Sequence, residues 1–279
     1  MTRVLASSVR VTRPARRLAA PAWLLLFVAG CATPRVALPS GAGTPFPAFP
    51  AAYSEAIRDC RSVKTVSASL SLSGRAGSTK LSARIDAGLA EAGRLRLEGY
   101  PKVSFGGKPF FVLVSRGETA TLVLNRDARV LRDAAASAII EALTGIALDP
   151  DQLRAVVSGC GLGVADPGEG RSYENGWAAS DAGGTTIFIR QLEDRWRVAA
   201  TRQGPLTIEY SAFSDGRPAA VRLHTSAGPG VAPADLTVRI SQLETNPSLD
   251  AAVFNVDVPR DATPITLEEL RQAGPLGDR

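Results

Sequence analysis

A run of alternating apolar and polar residues begins shortly after position 60 and constrains the fold more than any other feature of the sequence. Val66, Ala68, Leu70 and Leu72 alternate with four serines. A period of two places successive side chains on opposite faces of a β-strand. The segment therefore predicts a strand with one buried face and one face in contact with water.

The same alternation recurs through much of the chain. It continues at residues 81–85, 95–97 and 110–124, and in five further segments between residues 185 and 244. Short stretches rich in glycine, proline and acidic residues separate these segments, as expected for turns in an antiparallel meander. The pattern predicts about ten strands.

Two segments between the strands have helical rather than strand spacing. Residues 133–145 predict a short helix with Asp133 as its N-cap and Gly145 at its end. Residues 149–159 predict another, with Asp149 as N-cap, Pro150 in the first turn and Gly159 at its end. Further short helices are predicted over residues 53–61 and 264–272.

These elements together predict the fold class. Many one-sided strands and few helices indicate a mainly β, α+β protein whose apolar strand faces must be covered. A strongly curved antiparallel sheet that forms an incomplete, half-open barrel with a helical lid achieves this with few helices. Such a sheet would enclose a hydrophobic hollow suited to an apolar ligand.

The first 30 residues have the composition of an export signal. They contain five arginines, no acidic residue, and an apolar stretch over residues 18–30. These thirteen residues are too few to span a bilayer core, which needs roughly 20. Residues 31–52, rich in proline, glycine and alanine, predict a flexible tether, and residues 53–279 a single domain.

The end of this signal resembles the lipobox of bacterial lipoproteins. The residues are Val28-Ala29-Gly30-Cys31, with valine in place of the commoner leucine. The resemblance implies that Cys31 is joined to diacylglycerol, becomes the first residue and is acylated, for example with palmitate. Ala32 in place of aspartate implies the periplasmic face of the outer membrane. The alternative is an ordinary signal peptide with an incidental cysteine.

Removal of the signal changes the charge of the chain. The full sequence has 32 Lys and Arg and 27 Asp and Glu, a net charge of +5. Loss of the five signal arginines leaves 27 basic and 27 acidic residues, so the mature protein is neutral. The basic excess therefore gives no indication of nucleic-acid binding.

Besides Cys31, the sequence contains two cysteines and one histidine that could carry chemistry. Cys60 and Cys160 are candidates for a disulfide in an oxidising compartment, and two buried free thiols are the alternative. His224 lies in a predicted strand. One histidine without a cysteine cluster does not make the usual zinc site, so we expect no metal and no cofactor.

The order of elements resembles the LolA/LolB-like lipoprotein-carrier family, which includes the outer-membrane lipoprotein receptor. A meander is followed by an acid-capped helix, a glycine-ended helix and a second meander. The residues that carry the resemblance are Leu143-Thr144-Gly145, Ile146-Ala147-Leu148, Leu153-Arg154 and Gly159, with residues 93–106 and 254–259 as weaker matches.

The resemblance implies an open barrel that binds acyl chains. The expected activity is reception of lipoproteins or lipids, passed on by a periplasmic carrier, and their insertion into the outer membrane by a chaperone-like monomer. It involves no covalent step. The candidate cavity residues are Leu70, Leu72, Leu81, Leu95, Leu97, Phe111, Leu113, Leu122, Leu124, Ile187, Ile189, Trp196, Ile208 and Tyr210.

The resemblance also implies a loop that inserts into the membrane. The matching segment is residues 100–109, with Tyr100, Val103 and Phe105 as candidate insertion residues. Phe105 stands where the family has leucine, and the loop is a few residues longer. The alternative is that Val103 and Phe105 begin the next strand and point into the core.

Two other functions remain open at the level of sequence. A structural or assembly lipoprotein would use the same fold as a protein-docking module in an envelope complex. An enzyme such as a lipid hydrolase would need a nucleophile within reach of a base. Because His224 stands alone and no Gly-x-Ser-x-Gly segment is present, we expect no catalytic residue and no enzymatic activity.

Overall fold

The alternating segments form long antiparallel strands in the computed structural model, which describes residues 36–102, 107–163, 166–228 and 233–273. The strands are β1 (Thr44–Phe46), β2 (Thr65–Ala76), β3 (Thr79–Ala90), β4 (Arg94–Tyr100), β5 (Phe111–Arg116), β6 (Thr119–Leu124), β7 (Arg129–Ala135), β8 (Gly170–Tyr173), β9 (Trp177–Ala182), β10 (Thr185–Leu192), β11 (Arg195–Gln203), β12 (Leu206–Ser214), β13 (Arg217–Thr225), β14 (Ala234–Thr245) and β15 (Thr263–Pro264). The helices are α1 (Phe49–Ala56), α2 (Arg58–Arg61), α3 (Ala136–Thr144), α4 (Pro150–Ser158) and α5 (Leu267–Ala273).

All fifteen strands belong to one sheet in the described part of the chain. Its order is β1-β8-β9-β10-β11-β12-β13-β14-β2-β3-β4-β5-β6-β7-β15. The two meanders, β2–β7 and β8–β14, are joined by antiparallel pairing of β14 with β2. Only the short β15 pairs in parallel, with β7. Because β1 and β15 are the two edges, the sheet stays open.

The predicted division of the strands into two faces is present along β2. Val66 and Leu72 are buried, while the serines between them are partly exposed. The buried face continues across the neighbouring strands and packs against the helices in one core. The prediction of a mainly β fold with a curved, incompletely closed antiparallel sheet and a helical cover is confirmed. The curvature explains why few helices suffice to cover the apolar face.

The predicted helix ends are correct at three of four positions. Asp149 forms a capping box with Gln152, and Gly145 and Gly159 end the two helices in the left-handed conformation. Asp133 is not an N-cap, because β7 continues through it and pairs with β6 as far as Ala135. The sheet ladder therefore displaces the start of α3 to Ala136.

The sequence predicts about ten strands, whereas the described residues form fifteen. β1, β7, β8, β9 and β15 were missed because they are short or lack clean alternation. In β9 the four residues from Trp177 to Ser180 are all buried, so no polar face marks the strand. The segment predicted to be extended over residues 254–258 begins in a 3₁₀ turn, because Phe254 is the last residue of the turn at Ala251–Phe254. The last helix lies at Leu267–Ala273 rather than at residues 264–272.

The folded part begins earlier than position 53, which corrects the predicted tether. Residues 44–46 form edge strand β1, and Phe49 in α1 is fully buried. Val36 and Leu38 pack against the outer cluster, which consists of Trp177, Ala179, Phe188, Ala199 and Ala200 and is separate from the main core. Proline and glycine in this segment indicated flexibility, whereas these apolar side chains contact the sheet.

Candidate functional site

Helices α3 and α4 and the loop between them cover part of the apolar face of the sheet; we call them the lid. Ile139, Ile140 and Leu143 of α3 and Val156 and Val157 of α4 point into the core and are buried. Ile139 and Ile140 precede Leu143 by four and three residues, and Val156 and Val157 follow Leu153 by three and four, so each set lies on one face of its helix. The lid connects the two meanders, and α4 packs against β2, β3, β4 and β13 near the middle of the sheet.

A buried tyrosine holds the C-terminal end of α4. The hydroxyl of Tyr210 donates to the carbonyl of Val156 and accepts from the backbone N–H of Gly161, each at 2.8 Å. Burial raises the pKa of Tyr210 well above its ordinary value, and the Gly161 N–H lowers it by less. The tyrosine therefore acts as a neutral hydrogen-bonding anchor.

A disulfide holds the same end of the lid. Cys60 after α1 is joined to Cys160 after α4, with the Cα atoms 5.6 Å apart. The guanidinium of Arg154 also donates to the carbonyl of Val63. Because three contacts converge on the C-terminal half of α4, this end of the lid is fixed to the sheet and to α2.

A cavity of about 90 Å³ lies beneath the lid and is apolar apart from Thr144. It is bounded by the lid and by strands β2, β3, β4, β13 and β14. The lining residues are Leu70, Leu72, Ile85, Leu97, Ile140, Thr144, Ile146, Leu148, Leu153, Val156, Val157, Val221, Leu223, Leu236, Val238 and Ile240.

Three of the predicted cavity residues, Leu70, Leu72 and Leu97, line this cavity. Trp196 is half-buried and lines a separate polar pocket. The other predicted residues are buried in the same core without lining the cavity: Leu81, Leu95, Phe111, Leu113, Leu122, Leu124, Ile187, Ile189, Ile208 and Tyr210.

Sequence reasoning missed most of the lining. The residues contributed by the lid and by β13 and β14 follow helical or strand periods that were visible in the sequence. Their period predicts that they face inward. It gives no information on which inward-facing side chains leave a gap, because that depends on the packing of residues far apart in the chain.

The loop after β4 is described only in part. Val103 and Phe105 lie outside the described residues, as does Cys31. The hydroxyl of Tyr100 donates to a carboxylate oxygen of Glu98 at 2.6 Å, and the guanidinium of Arg84 lies over its ring. Burial and the Glu98 carboxylate raise the pKa of Tyr100 to about 12.

The pKa of Glu98 is shifted in the opposite direction. Burial alone would raise it, but hydrogen bonds from Tyr100 and Arg96 together lower it below its ordinary value. Glu98, Tyr100 and Arg96 thus form one network on the outer face of the sheet. Tyr100 is engaged in this network at the base of the loop.

His224 also lies on the outer face of the sheet. Its Nε2 is 3.3 Å from a carboxylate oxygen of Glu209, which is 5% exposed and is also paired with Arg222. Arg222 bridges to Asp235 at 2.7 Å. The histidine is therefore a partner of a buried carboxylate within an ionic network.

Neither a metal-binding cluster nor a membrane-spanning helix is present among the described residues. In that part of the chain no group of three or more His, Cys, Asp or Glu side chains is arranged to hold a metal ion. No helix among the same residues has the length and apolar composition needed to cross a membrane.

Solved structures with a similar course of the chain include a LolA superfamily protein of Nitrosomonas europaea. That protein is 10% identical, with a TM-score of 0.48 over 74% of this chain and 97% of its own. A DUF1329 family protein of Desulfovibrio piger is 15% identical, with a TM-score of 0.42 over 75% and 97% of the two chains.

The lipoprotein LppX of Mycobacterium tuberculosis is also similar, at 12% identity and a TM-score of 0.30 over 76% of this chain and 99% of its own. No protein-family model matches the sequence. No curated protein matches it either.

Proposed function

We propose that this protein is a lipid-anchored protein of the bacterial envelope that binds acyl chains beneath its lid. The observation that carries the proposal is the cavity, whose lining is apolar except for Thr144. An acyl chain has no polar group to satisfy along its length, and its burial contributes ~0.8 kcal/mol per CH₂ group. Such a lining therefore favours an aliphatic ligand over a polar one.

Uptake of an acyl chain requires the lid to open. A volume of about 90 Å³ is well below the roughly 300 Å³ of the smaller sites that bury a whole ligand. The C-terminal half of α4 is held by Tyr210 and by the Cys60–Cys160 disulfide. We therefore take α4 as the fixed side of the lid and α3 with residues 145–148 as the part that moves to enlarge the cavity.

The contacts of α3 and of residues 145–148 are consistent with movement of this part of the lid away from α4. α3 packs against α5, and Glu141 is joined to Arg271 at 3.7 Å through an exposed ion pair. An exposed pair of this kind is worth at most ~1 kcal/mol. Ile146 and Leu148 lie in the loop and line the cavity, so displacement of this loop would expose its interior.

The finer role is reception of lipoproteins or lipids at the outer membrane. In this role Cys31 carries the acyl anchor, a periplasmic carrier delivers the cargo, and the protein acts as a monomer without a catalytic step. Labelling with radioactive palmitate tests the anchor, because Cys31→Ala should abolish incorporation and shift the protein out of the outer-membrane fraction. Retention of label in Cys31→Ala would contradict this assignment.

A photo-crosslinking experiment tests acyl binding without detergent. Cells that produce the full-length protein are fed a fatty acid bearing a diazirine on its chain, irradiated, and the protein is digested for mass spectrometry. We expect lipid adducts on peptides that contain residues 140–148 or 236–240. The absence of adducts on these peptides, while other lipid-binding proteins are labelled, would rule out the proposed acyl site.

The second candidate is a docking module in an envelope complex. The small volume of the cavity favours it, because a nearly filled core needs no lipid cargo. In that case the crosslinking experiment yields no adduct beneath the lid, and crosslinking between proteins in the same cells yields a defined partner. A hydrolysis assay with phospholipid and lipoprotein substrates separately tests the proposal that no reaction is catalysed.

A further inference from the structure

A second pocket, which we call the arginine pocket, opens at the end of the sheet opposite residues 145–148. It has a volume of about 320 Å³ and lies among α1, α2, the start of β11 and the turn between β12 and β13. Gly145 lies next to Ala234 at the start of β14, and Leu243 and Thr245 near the end of β14 line the arginine pocket. The loop at residues 145–148 and the pocket are therefore at opposite ends of this strand.

The pocket brings together four arginines from separate parts of the sequence: Arg58, Arg195, Arg197 and Arg217. Arg197 donates to the carbonyl of Gly216 at 2.6 Å, and Arg217 donates to that of Leu243 at 3.3 Å. Carbonyl partners orient a guanidinium without neutralising its charge. These two arginines therefore present positive charge from defined positions.

The other two arginines are available to a ligand. Arg58 and Arg195 are exposed and have no acceptor within the residues that the structure describes. Guanidinium groups suit phosphate because their fixed fork of donors binds two oxygens at once. Two exposed and two oriented guanidinium groups around one cavity form the donor set that a phosphate requires.

Three carboxylates also line the pocket, and two of them already accept hydrogen bonds. Glu55 accepts from the backbone N–H of Trp196 at 3.3 Å, and Asp215 accepts from Ser214 at 3.5 Å. Asp59 is exposed at the rim. The four arginines exceed the three acidic groups, so the pocket keeps a positive charge.

The pocket lies close to the point where the chain leaves for its anchor. The ring of Trp196, in the pocket wall, is 5.8 Å from that of Phe46, and Val36 packs against the cluster that contains Trp177 of β9, two strands from β11. Cys31 precedes Val36 by five residues, a reach of at most ~18 Å. A lipid on Cys31 would hold this end of the sheet close to the bilayer surface.

We propose that the arginine pocket binds a phosphate group, supplied by a phospholipid head group where the protein meets its membrane. The phospholipid source rests on the proposed anchoring through Cys31, whereas phosphate binding itself does not. The site is separate from the acyl cavity, so either site can fail without the other.

Trp196 provides the readout. The mature, lipidated protein in a nonionic detergent is titrated with inorganic phosphate, with glycerol 3-phosphate, and with phosphatidylglycerol in mixed micelles, and tryptophan fluorescence is followed. We expect saturable binding that Arg58→Ala/Arg195→Ala weakens by at least about tenfold. The matched control, Arg132→Ala/Arg260→Ala, removes two exposed arginines outside the pocket and should bind like the unmodified protein.

The outcomes separate the two sources. Binding of phosphatidylglycerol and glycerol 3-phosphate that is at least tenfold tighter than binding of inorganic phosphate supports the head group. Equal binding of all three supports a phosphate site that does not recognise lipid. No saturable binding, or equal weakening by the pocket and control variants, overturns the proposal. The acyl crosslinking of the pocket variant should remain unchanged, which distinguishes this result from failure of the acyl site.

Discussion

The hydroxyl of Tyr210 donates a hydrogen bond to the backbone carbonyl of Val156, joining the inner face of β12 to the helix that covers the cavity. The same oxygen accepts from Gly161 just beyond that helix. One side chain thus bonds two backbone groups at the helix end, where the carbonyl of Val156 also accepts from the N–H of Gly159. This contact, together with the disulfide, makes α4 the fixed side of the lid.

Tyr210→Phe should destabilise the fold by ~1–3 kcal/mol, because it leaves the buried backbone N–H of Gly161 without a partner and removes one of the two donors to the carbonyl of Val156. The free energy of unfolding in urea measures this loss. Tyr173→Phe is the matched control, because Tyr173 packs against the outer cluster and is only partly buried. Equal losses in the two variants would show that the Tyr210 hydroxyl contributes nothing specific.

The stability should also depend on alkaline pH. The unfolded Tyr210 ionises near pH 10, whereas burial keeps the folded residue protonated to higher pH. Stability from this group is therefore complete below about pH 10 and decreases by ~1.4 kcal/mol per pH unit above it. Urea unfolding between pH 9 and 11 should show a shallower decline for Tyr210→Phe, and identical slopes would contradict the shift.

Loss of the disulfide should lower stability by ~2–5 kcal/mol, because it closes a loop of 100 residues. Thermal unfolding of Cys60→Ala/Cys160→Ala tests this. Addition of a reductant should lower the unfolding temperature of the unmodified protein and leave that of the double variant unchanged. A reductant-sensitive double variant would indicate another cause.

Val238→Phe should fill the cavity and reduce acyl crosslinking at least about tenfold. Val238 is only partly buried and lines the cavity, so a larger ring can enter the open volume. Val66→Phe adds the same ring to a fully packed part of the core and serves as the control, with an expected cost of ~1–3 kcal/mol from overpacking. Undiminished crosslinking in Val238→Phe would place the acyl chain elsewhere.

The pKa of Tyr100 should fall from about 12 toward 10 in Glu98→Gln. Removing the carboxylate removes a negative charge that opposes ionisation of the phenol. An NMR titration of ¹³C-labelled tyrosine measures this pKa. The signal that is absent in Tyr100→Phe is assigned to Tyr100. An unchanged pKa in Glu98→Gln would mean that burial alone produces the shift.

The strand faces and helix caps were readable because they depend on neighbours in sequence. Leu70 and Leu72 follow a period of two, and Asp149 meets Gln152 three residues later. Asp133 was misassigned for the opposite reason. Its local capping preference was overridden by pairing between β6 and β7, which the sequence near Asp133 does not encode by a simple period.

The sequence by itself determined a sheet with one apolar face, and it predicts an export signal with a candidate lipid anchor. Charge, period and capping residues act over a few positions, so a linear reading suffices. Only the tertiary structure decided that β14 pairs with β2, that Leu97 and Leu236 face one cavity, and that Arg58 and Arg195 share one pocket. These juxtapositions depend on strand register and packing between residues more than 100 positions apart, which no local pattern specifies.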